Sequence, residues 1–311
     1  MSASPPPLSR SVDASPSLSL PDVVTRLRAA GCVFAEDEAH LLVSTARTPA
    51  GLALMVERRV EGLPLEHVLG WAEFCGLRID VVPGVFVPRR RTEFLIHQAT
   101  ALARQATESD GHATRPDGQA TGPDGRAGAP DGARIVVVDL CCGSGAVGAA
   151  LAAALGRIEL HAVDIDPAAV QCARRNVAAV GGQVYEGDLY EPLPATLRGR
   201  VDVLVASPPY VPTEAIRLLP AEARVHEPRV ALDGGADGLD VVRRVTAAAP
   251  LWLAPGGCLL VETSERQAPE TIEAIARNGL IPRVAGCDKL NATVVIGTRP
   301  GPRSGPGDAS R

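Results

Sequence analysis

From Arg134 onward, short β-branched runs alternate with helical segments, and this alternation limits the possible folds more than any other feature of the chain. Strands are predicted at ARIVVVDL, IELHAVDID, QVYEGD, VDVLVAS and GCLLVETS, with a last one at TVVIGT. Apolar runs of this kind are typical of strands that are buried on both faces, and helical crossovers connect parallel strands. The sequence therefore predicts an α/β fold with a mainly parallel, doubly wound sheet.

The segments outside this predicted catalytic domain, residues 134–300, differ from it in composition. Apolar residues at helical spacing predict a small helical domain over 21–75, and residues 76–106 predict a β segment and a connecting helix, Glu93–Gln105. Low-complexity sequence cannot bury a core, so three further segments are predicted to be disordered or flexible. These are the Ser/Pro-rich extension at 1–20, the insertion at 107–133 with three Pro-Asp-Gly triplets, and the tail at 301–311.

Charge, cysteine content and hydropathy argue against several classes of protein. The formal net charge is −5, which argues against a dedicated nucleic-acid binder because such proteins usually carry a basic surface. The seven cysteines are scattered and form no Cys-x-x-Cys pair, so we expect reduced thiols and no metal site. No apolar run in the sequence approaches the length of a transmembrane helix. We expect a monomeric, cytoplasmic protein without membrane or direct nucleic-acid partners.

A glycine-rich loop, DLCCGSGAVG, follows the first predicted strand and opens a helix. Its residues Gly143 to Gly148 match the pattern G-x-G-x-x-G, in which glycines allow a ligand to approach the backbone closely. Asp164 ends the second strand about twenty residues later, where a ribose-binding carboxylate is expected. This pattern favours a nucleoside cofactor, and by itself it suits a nicotinamide dinucleotide and S-adenosylmethionine equally well.

The third and fourth strands end in residues that distinguish these two cofactors. Asp188 and Leu189 follow the third strand, and a carboxylate beside an apolar side chain suits the amino group and the face of an adenine. The fourth strand ends on Ser207-Pro208-Pro209-Tyr210. Methyl transfer to a planar amide or exocyclic amine requires acceptors for the hydrogens of the nitrogen.

A serine oxygen and a fixed proline carbonyl supply two such acceptors, and a tyrosine ring can lie against the planar group. Correct positioning then supplies most of the rate enhancement, and no strong base is required, because the nitrogen becomes acidic only as it gains the methyl group. The motif therefore favours methyl transfer to nitrogen.

With these motifs, the chain resembles the release-factor glutamine methyltransferases (the HemK/PrmC family), which are class I S-adenosylmethionine-dependent enzymes with a Rossmann-like sheet and a small N-terminal helical domain. The resemblance runs from about Pro21 to Arg299, and its most specific parts are EGLPLEHVLGWAEFCGL and VPGVFVPRRRTE. Further matching segments are DLCCGSGAVG, AVDID, GDLYEPL, SPPYVP, HEPRVALDGGADGLD and LAPGGCLLVE.

The motifs and the resemblance together imply S-adenosyl-L-methionine as the cofactor and two sets of site residues. Predicted cofactor contacts are Asp139, Cys141, Cys142, Gly143, Ser144, Gly145, Asp164, Asp188, Leu189 and Ser207. Predicted catalytic contacts with the acceptor are Ser207, Pro208, Pro209 and Tyr210. The helical domain is implied to dock the target protein, and Glu227 is implied to shape a loop that covers the motif.

Three departures from the family pattern concern the substrate. Ser207 replaces the usual asparagine, Cys141 replaces the usual first glycine of the cofactor loop, and Arg90 and Arg91 replace a Pro-Glu pair. A hydroxyl is shorter than an amide side chain, so we expect it to reach a shifted substrate or to act through a water molecule. The departures are consistent with a divergent paralogue that has another protein target.

Four functions are compatible with the sequence. The first is methylation of a protein glutamine amide, most simply the glutamine of the Gly-Gly-Gln tripeptide in a peptide chain release factor. The second is methylation of adenine N6 or cytosine N4 in nucleic acid, where similar motifs occur. The third is a nicotinamide-dependent oxidoreductase, which leaves the Pro-Pro-Tyr motif without a role. The fourth is a catalytically silent scaffold that binds the cofactor.

Overall fold

The computed structural model describes residues 18–113 and 134–301, with the backbone alone over 107–113. Most of the predicted extension, the predicted insertion from 114 to 133 and nearly all of the predicted tail lie outside the described residues. The chain divides into two compact units, Met1–Leu69 and Gly70–Arg311.

The described residues form ten α-helices, nine strands and several short 3-10 turns. The helices are α1 (Leu20–Ala29), α2 (Ala35–Thr45), α3 (Pro49–Val60), α4 (Leu65–Leu69), α5 (Glu93–Ala113), α6 (Ala146–Leu155), α7 (Pro167–Val177), α8 (Ala221–His226), α9 (Asp240–Trp252) and α10 (Ala268–Arg277). The strands are β1 (Trp71–Phe74), β2 (Leu77–Asp80), β3 (Ile135–Leu140), β4 (Ile158–Asp164), β5 (Gln183–Glu186), β6 (Val201–Ala206), β7 (Leu253–Thr263), β8 (Ile281–Cys287) and β9 (Ala292–Thr298). The 3-10 turns are Arg90–Thr92, Ala178–Val180, Ala195–Leu197, Thr213–Leu218, Arg229–Ala231, Glu265–Gln267 and Asp288–Leu290.

The first unit is a small helical domain with its own core. Helix α1 begins with a capping box, in which the Ser19 hydroxyl accepts the N–H of Asp22 and the Asp22 carboxylate accepts the N–H of Ser19. Helix α3 begins at Pro49, a residue that suits the first turn because its missing N–H would be unpaired there. The apolar faces of the helices pack on one another, and the fully buried members are Val23, Leu27, Ala39, Leu42 and Val56.

A buried ion pair joins two helices of this unit. Arg59 on α3 donates from Nε and Nη2 to both carboxylate oxygens of Glu38 on α2, at 2.7 and 3.1 Å. The two side chains are only 11% and 10% exposed, and Arg59 also donates to the carbonyl of Leu63. Since water has little access to either side chain, each charged group is stabilised mainly by the other one.

The second unit is built on a seven-stranded sheet with the order β5-β4-β3-β6-β7-β9-β8. Strands β5 to β7 in this order are parallel, and β9 runs antiparallel to both β7 and β8. Alternate residues of β6 face two different cores, since Val203 and Val205 pack with α5 and α6, whereas Leu204 packs with α9 and α10. Helices therefore cover both faces, and the predicted α/β fold class is confirmed.

The direction of chain winding reverses between β3 and β6. From β3 the chain moves outward through β4 and β5, and it then returns to place β6 on the other side of β3. At such a switch point the two adjacent loops leave in opposite directions, and a crevice opens outside the carboxyl ends of the strands. The sheet order therefore fixes where a ligand can bind.

Two boundaries differ from the sequence prediction. The first strand of the β1/β2 hairpin begins at Trp71, so residues 71–74 pair within the second unit and do not belong to the helical domain. Cys75 and Gly76 form its two-residue turn, and both have positive φ angles, as a type I′ turn requires. Helix α5 continues to Ala113, past the predicted end at Gln105 and into the predicted insertion, because no proline interrupts the chain before Pro116.

Candidate active site

A cavity of about 300 Å³ lies at the crevice that the switch point creates. Its walls come from the segments that follow β3, β4, β5 and β6, together with the Phe86–Thr92 region and the carboxyl end of β7. The predicted site residues that line it are Cys141, Cys142, Gly143, Ser144, Asp164, Asp188, Leu189, Ser207, Pro208, Pro209 and Tyr210. The structure thus brings all of the predicted acceptor contacts, and all of the predicted cofactor contacts except Asp139 and Gly145, into a single cavity.

Asp164 is fixed by backbone amides at the carboxyl end of β4. Its Oδ2 accepts the N–H of Gly143 at 2.8 Å, and its Oδ1 accepts the N–H of Asp166 at 2.9 Å. Burial raises the pKa of Asp164, and these two N–H groups act against the increase. Each carboxylate oxygen retains a second lone pair, so the oriented carboxylate could accept the hydroxyls of a ribose.

Asp139 and Gly145 were predicted as cofactor contacts, but the structure gives them supporting positions. Asp139 is 1% exposed, and its Oδ2 accepts the N–H of Gly148 at 3.0 Å. Burial raises its pKa to about 7. Gly145 has a φ of 78°, and a Cβ there would lie 3.0 Å from the backbone of Ala173 on α7. Both residues hold the glycine loop against its neighbours instead of lining the cavity.

Two cavity residues adopt left-handed backbone conformations although they are not glycines. The φ angle is 56° at Cys141 and 50° at Leu189. Such conformations cost free energy in residues with a Cβ, and they concentrate at functional sites, where the surrounding structure enforces them. Burial, with nearby carboxylates, raises the pKa values of the Cys141 and Cys142 thiols, so both remain protonated and neither is a thiolate nucleophile.

Asp188 carries an ion pair at the cavity wall. The guanidinium of Arg244 donates to its Oδ2 at 2.6 Å, and Arg244 also lines the cavity. The sequence analysis assigned Asp188 to an adenine amino group and did not identify Arg244. The pair orients the Asp188 carboxylate at the edge of the site.

The loop after β6 holds the Ser-Pro-Pro-Tyr motif rigidly. Gln267 donates from Nε2 to the carbonyl of Tyr210 at 3.0 Å, and the N–H of Val211 bonds to the carbonyl of Leu232 at 3.0 Å. Gly238 has a φ of 80°, and a Cβ there would lie 2.3 Å from the Tyr210 carbonyl oxygen. The DGGADG segment therefore packs against the motif so closely that only glycine fits at this position.

The segment that covers the motif is also anchored by a buried carboxylate. Glu227 lies at the end of α8 with a side chain that is 1% exposed, and it pairs with Arg89 and accepts the N–H of Val87. Burial raises its pKa, and the charge of Arg89 opposes this effect. Glu227 thus links the covering segment to the Phe86–Thr92 wall.

Glu262 is a cavity residue that the sequence analysis did not identify. It is the penultimate residue of β7, is 3% exposed, and lines the cavity next to the motif. Its Oε2 lies 3.4 Å from the Ser207 hydroxyl, and its Oε1 lies 3.3 Å from Nε of Arg91. A signal was available, because a lone glutamate interrupts an apolar strand, LLVE, at the carboxyl edge of the sheet.

Arg91 also lies over the ring of Tyr210, with 5.6 Å from the guanidinium carbon to the ring centroid. Burial, followed by the charge of Glu262, raises the pKa of Tyr210 to about 12. The phenol is therefore neutral at physiological pH. In this neutral form the phenol cannot act as a general base.

Two kinds of feature are absent from the part of the chain that the structure describes. Residues 18–113 and 134–301 contain no group of three or more His, Cys, Asp or Glu side chains arranged to hold a metal ion. Within the same ranges, no helix is both long and apolar enough to cross a membrane.

Comparison with known proteins adds three findings. Residues 130–236 match the family model described as the methyltransferase small domain. A solved ribosomal protein L11 methylase from Lactobacillus delbrueckii subsp. bulgaricus superposes with a TM-score of 0.43 and 16% identity, over 71% of this chain and 85% of that one. The 4-amino-L-phenylalanine/4-methylamino-L-phenylalanine methyltransferase of Streptomyces pristinaespiralis is 32% identical over 68% of this chain and 65% of that protein.

A longer match comes from Geobacter sulfurreducens. Its release factor glutamine methyltransferase is 35% identical over 249 residues, which cover 79% of this chain and 77% of that protein. This chain belongs to the release factor glutamine methyltransferase family.

Proposed function

We propose that this protein transfers a methyl group from S-adenosylmethionine to the side-chain amide nitrogen of a protein glutamine, and that its target is the glutamine of the Gly-Gly-Gln tripeptide in a peptide chain release factor. The observation that carries the proposal is the single cavity in which the cofactor-loop residues meet Ser207 to Tyr210. The name of the Geobacter sulfurreducens relative supports the choice of target.

The cavity suits the chemistry of the cofactor. When bound, S-adenosylmethionine supplies a methyl group on a positively charged sulfur. Asp164 would hold the ribose, the backbone around Gly143 would approach the amino-acid part, and Leu189 would contact the adenine. The Asp164 carboxylate, which is held by two backbone N–H groups, favours a cationic ligand at its end of the cavity.

At the acceptor end, the residues of the motif position the amide. The hydroxyl of Ser207 and the carbonyl of Pro208 accept the two N–H groups, and the neutral ring of Tyr210 lies against the amide plane. Holding the nitrogen in line with the methyl group removes much of the entropic barrier to the reaction. The proline pair and the packed DGGADG segment keep this geometry fixed before the substrate arrives.

The helical unit of residues 18–69 completes the proposal as a docking domain for the target protein. It presents apolar side chains to solvent, with Val33 83% and Phe34 68% exposed. Apolar surface of this kind favours contact with another protein. We further propose that the protein acts as a monomer in the cytoplasm and does not itself bind nucleic acid.

The proposal is tested by peptide mass spectrometry of a bacterial class I release factor after incubation with this protein and S-adenosylmethionine. We expect one added methyl group on the tripeptide glutamine. The matched control is a release factor that carries glutamate at that position, which should remain unmodified. An unmodified glutamine, with calorimetry showing that the cofactor binds, would overturn the choice of target.

A second candidate is methylation of the amine of a small aromatic amino acid. The Streptomyces pristinaespiralis relative carries the name of such an enzyme, and this chain departs from the family pattern at Ser207 and Arg91, both at the acceptor end. An aromatic amine presents N–H groups to the same acceptors as an amide. Adding 4-amino-L-phenylalanine as a parallel substrate distinguishes the two candidates.

A further inference from the structure

Glu262 is a buried carboxylate at the acceptor end of the cavity whose hydrogen-bonding capacity is poorly used. Its contacts with Ser207 and Arg91 measure 3.4 and 3.3 Å, both longer than the usual range of about 2.7–3.2 Å. A carboxylate can accept about four hydrogen bonds. At 3% exposure, bulk water can supply little of this deficit.

The position of Glu262 relates it directly to the motif. Strands β6 and β7 are neighbours in register, with Ala206 paired to Val261, so Ser207 and Glu262 follow the last paired residues side by side. Oε2 faces the Ser207 hydroxyl, which is the group expected to meet the substrate nitrogen. A nitrogen that reaches Ser207 therefore comes close to a carboxylate oxygen.

Methyl transfer to an amide also produces a proton that must be accepted. The nitrogen forms one bond to the methyl carbon, the bond between that carbon and sulfur breaks with its electron pair remaining on sulfur, and the nitrogen loses one of its two protons. The protonated N-methyl amide is a much stronger acid than a carboxylic acid. A carboxylate within reach is therefore a sufficient base, and Tyr210, with a pKa of about 12, would have to be deprotonated to serve in its place.

We propose that Glu262 is a catalytic residue that accepts an N–H of the acceptor nitrogen and takes its proton as the methyl group is transferred. This inference rests on the proposed function. In it, the N–H that the Ser207 hydroxyl accepts is shared with Oε2 of Glu262, because the short Ser207 side chain lies beside that oxygen. Arg91 is a positioning residue, because its Nε holds Oε1 of Glu262 and leaves Oε2 directed at the motif.

The test compares Glu262→Gln with Glu270→Gln, a substitution of an exposed glutamate on α10. Glutamine keeps the size and one acceptor oxygen but cannot take a proton. We expect Glu262→Gln to lower kcat about 100-fold, with cofactor affinity measured by calorimetry within about twofold of the wild type. Glu270→Gln should leave both quantities unchanged.

The pH profile of kcat separates a base from a structural residue. The wild type should lose activity in one step as pH falls, whereas Glu262→Gln should show a low rate without this step. Glu262→Asp, which keeps the base on a shorter side chain, should retain the step and recover part of the rate. A Glu262→Gln variant with wild-type kcat, or with an unchanged pH step, would overturn the inference.

Rates measured with the two methyl-group acceptors, the release factor and 4-amino-L-phenylalanine, distinguish a failure of this inference from a failure of the proposed function. Wild-type methylation of the release factor with an unaffected Glu262→Gln variant overturns only the role of Glu262. Wild-type methylation of 4-amino-L-phenylalanine alone overturns the proposed target, and the ratio of variant to wild-type rate on that amine then decides the role of Glu262. A folded, cofactor-binding wild type that methylates neither acceptor overturns both.

Discussion

Some residues of the cavity have an unfavourable backbone conformation, and others carry a buried charge. Cys141 and Leu189 adopt left-handed conformations at the carboxyl ends of β3 and β5, where their backbones turn toward the site. Asp164 retains its orientation through two backbone amides. The cofactor end is therefore shaped mainly by main-chain geometry, whereas the acceptor end depends on the side chains of Ser207 and Glu262.

The left-handed conformation of Cys141 gives a prediction about stability. Cys141→Gly should be more stable than Cys141→Ala by about 1 kcal/mol, because alanine retains the Cβ that makes positive φ unfavourable. The same pair of substitutions at Cys142, which does not have a positive φ, is the control and should show the ordinary order, with alanine more stable. Urea unfolding measures both differences. A more stable alanine at position 141 would contradict the observed conformation.

Substitutions at Asp164 and Ser207 should have opposite effects on binding and turnover. Asp164→Ala removes a charged acceptor from the cofactor end, so the affinity for S-adenosylmethionine should fall at least about tenfold. Ser207→Ala should leave that affinity within about twofold and lower kcat, since the lost acceptor acts on the substrate. Calorimetry and steady-state kinetics measure the two quantities. Loss of cofactor affinity in Ser207→Ala would place this residue at the cofactor end.

Among the elements, most strands of the sheet were predictable from the sequence, whereas the exact ends of strands and helices were less so. Apolar β-branched runs identified β3, β4 and β6, because these strands are buried on both faces. Only the first strand of the hairpin, Trp71–Phe74, was placed in the helical domain, since a four-residue strand carries little periodicity. Helix α5 was predicted too short because its last turns lack an apolar pattern. The helix continues through them since they contain no proline.

The site shows a similar limit. Motifs contiguous in sequence, such as Ser207 to Tyr210, were found because their letters carry the pattern. Glu262 and Arg244 reach the cavity from segments far along the chain, and strand pairing and helix packing show which part of the site each one contacts. The φ angle of Cys141 was likewise not predictable, although the glycine usual at that position in the family is the residue that tolerates it.

The Glu38–Arg59 pair gives a prediction at the level of the α2 and α3 helices. Arg59→Ala should lower the free energy of unfolding of the helical unit by about 3 kcal/mol, because it leaves the buried Glu38 carboxylate without its partner. Arg58→Ala, at the exposed position next to it, should change this quantity by less than about 0.5 kcal/mol. Circular dichroism during urea unfolding measures both. Equal effects of the two substitutions would show that the pair does not stabilise these helices.

At the scale of the whole molecule, the order of the sheet explains why several carboxylates lie close together at the site. The carboxyl ends of five parallel strands meet at one edge, and the side chains of Asp164 and Glu262 are carried there with Asp139 beneath the glycine loop. Family membership decides between the two cofactors that the loop allowed, in favour of S-adenosylmethionine. A cationic cofactor can offset the repulsion among carboxylates that an anionic dinucleotide would increase.

The same burial makes the stability of the protein depend on pH through Asp139. Burial raises the pKa of Asp139 from 3.8 to about 7, so the folded state retains a proton that the unfolded state loses. The stabilisation linked to this proton is complete below the unfolded value of 3.8 and is lost as pH rises through about 7.

We therefore expect the free energy of unfolding to decrease from about pH 5 to about pH 8 by more in the wild type than in Asp139→Asn, which cannot titrate. Asparagine can still accept the N–H of Gly148, although its amide hydrogens add a constant cost, so the comparison uses the change with pH and not the absolute stability. Urea unfolding of both proteins at the two pH values measures this change. Parallel curves would show that Asp139 is ionised in the folded protein and that the carboxylates at this edge are balanced by other charges.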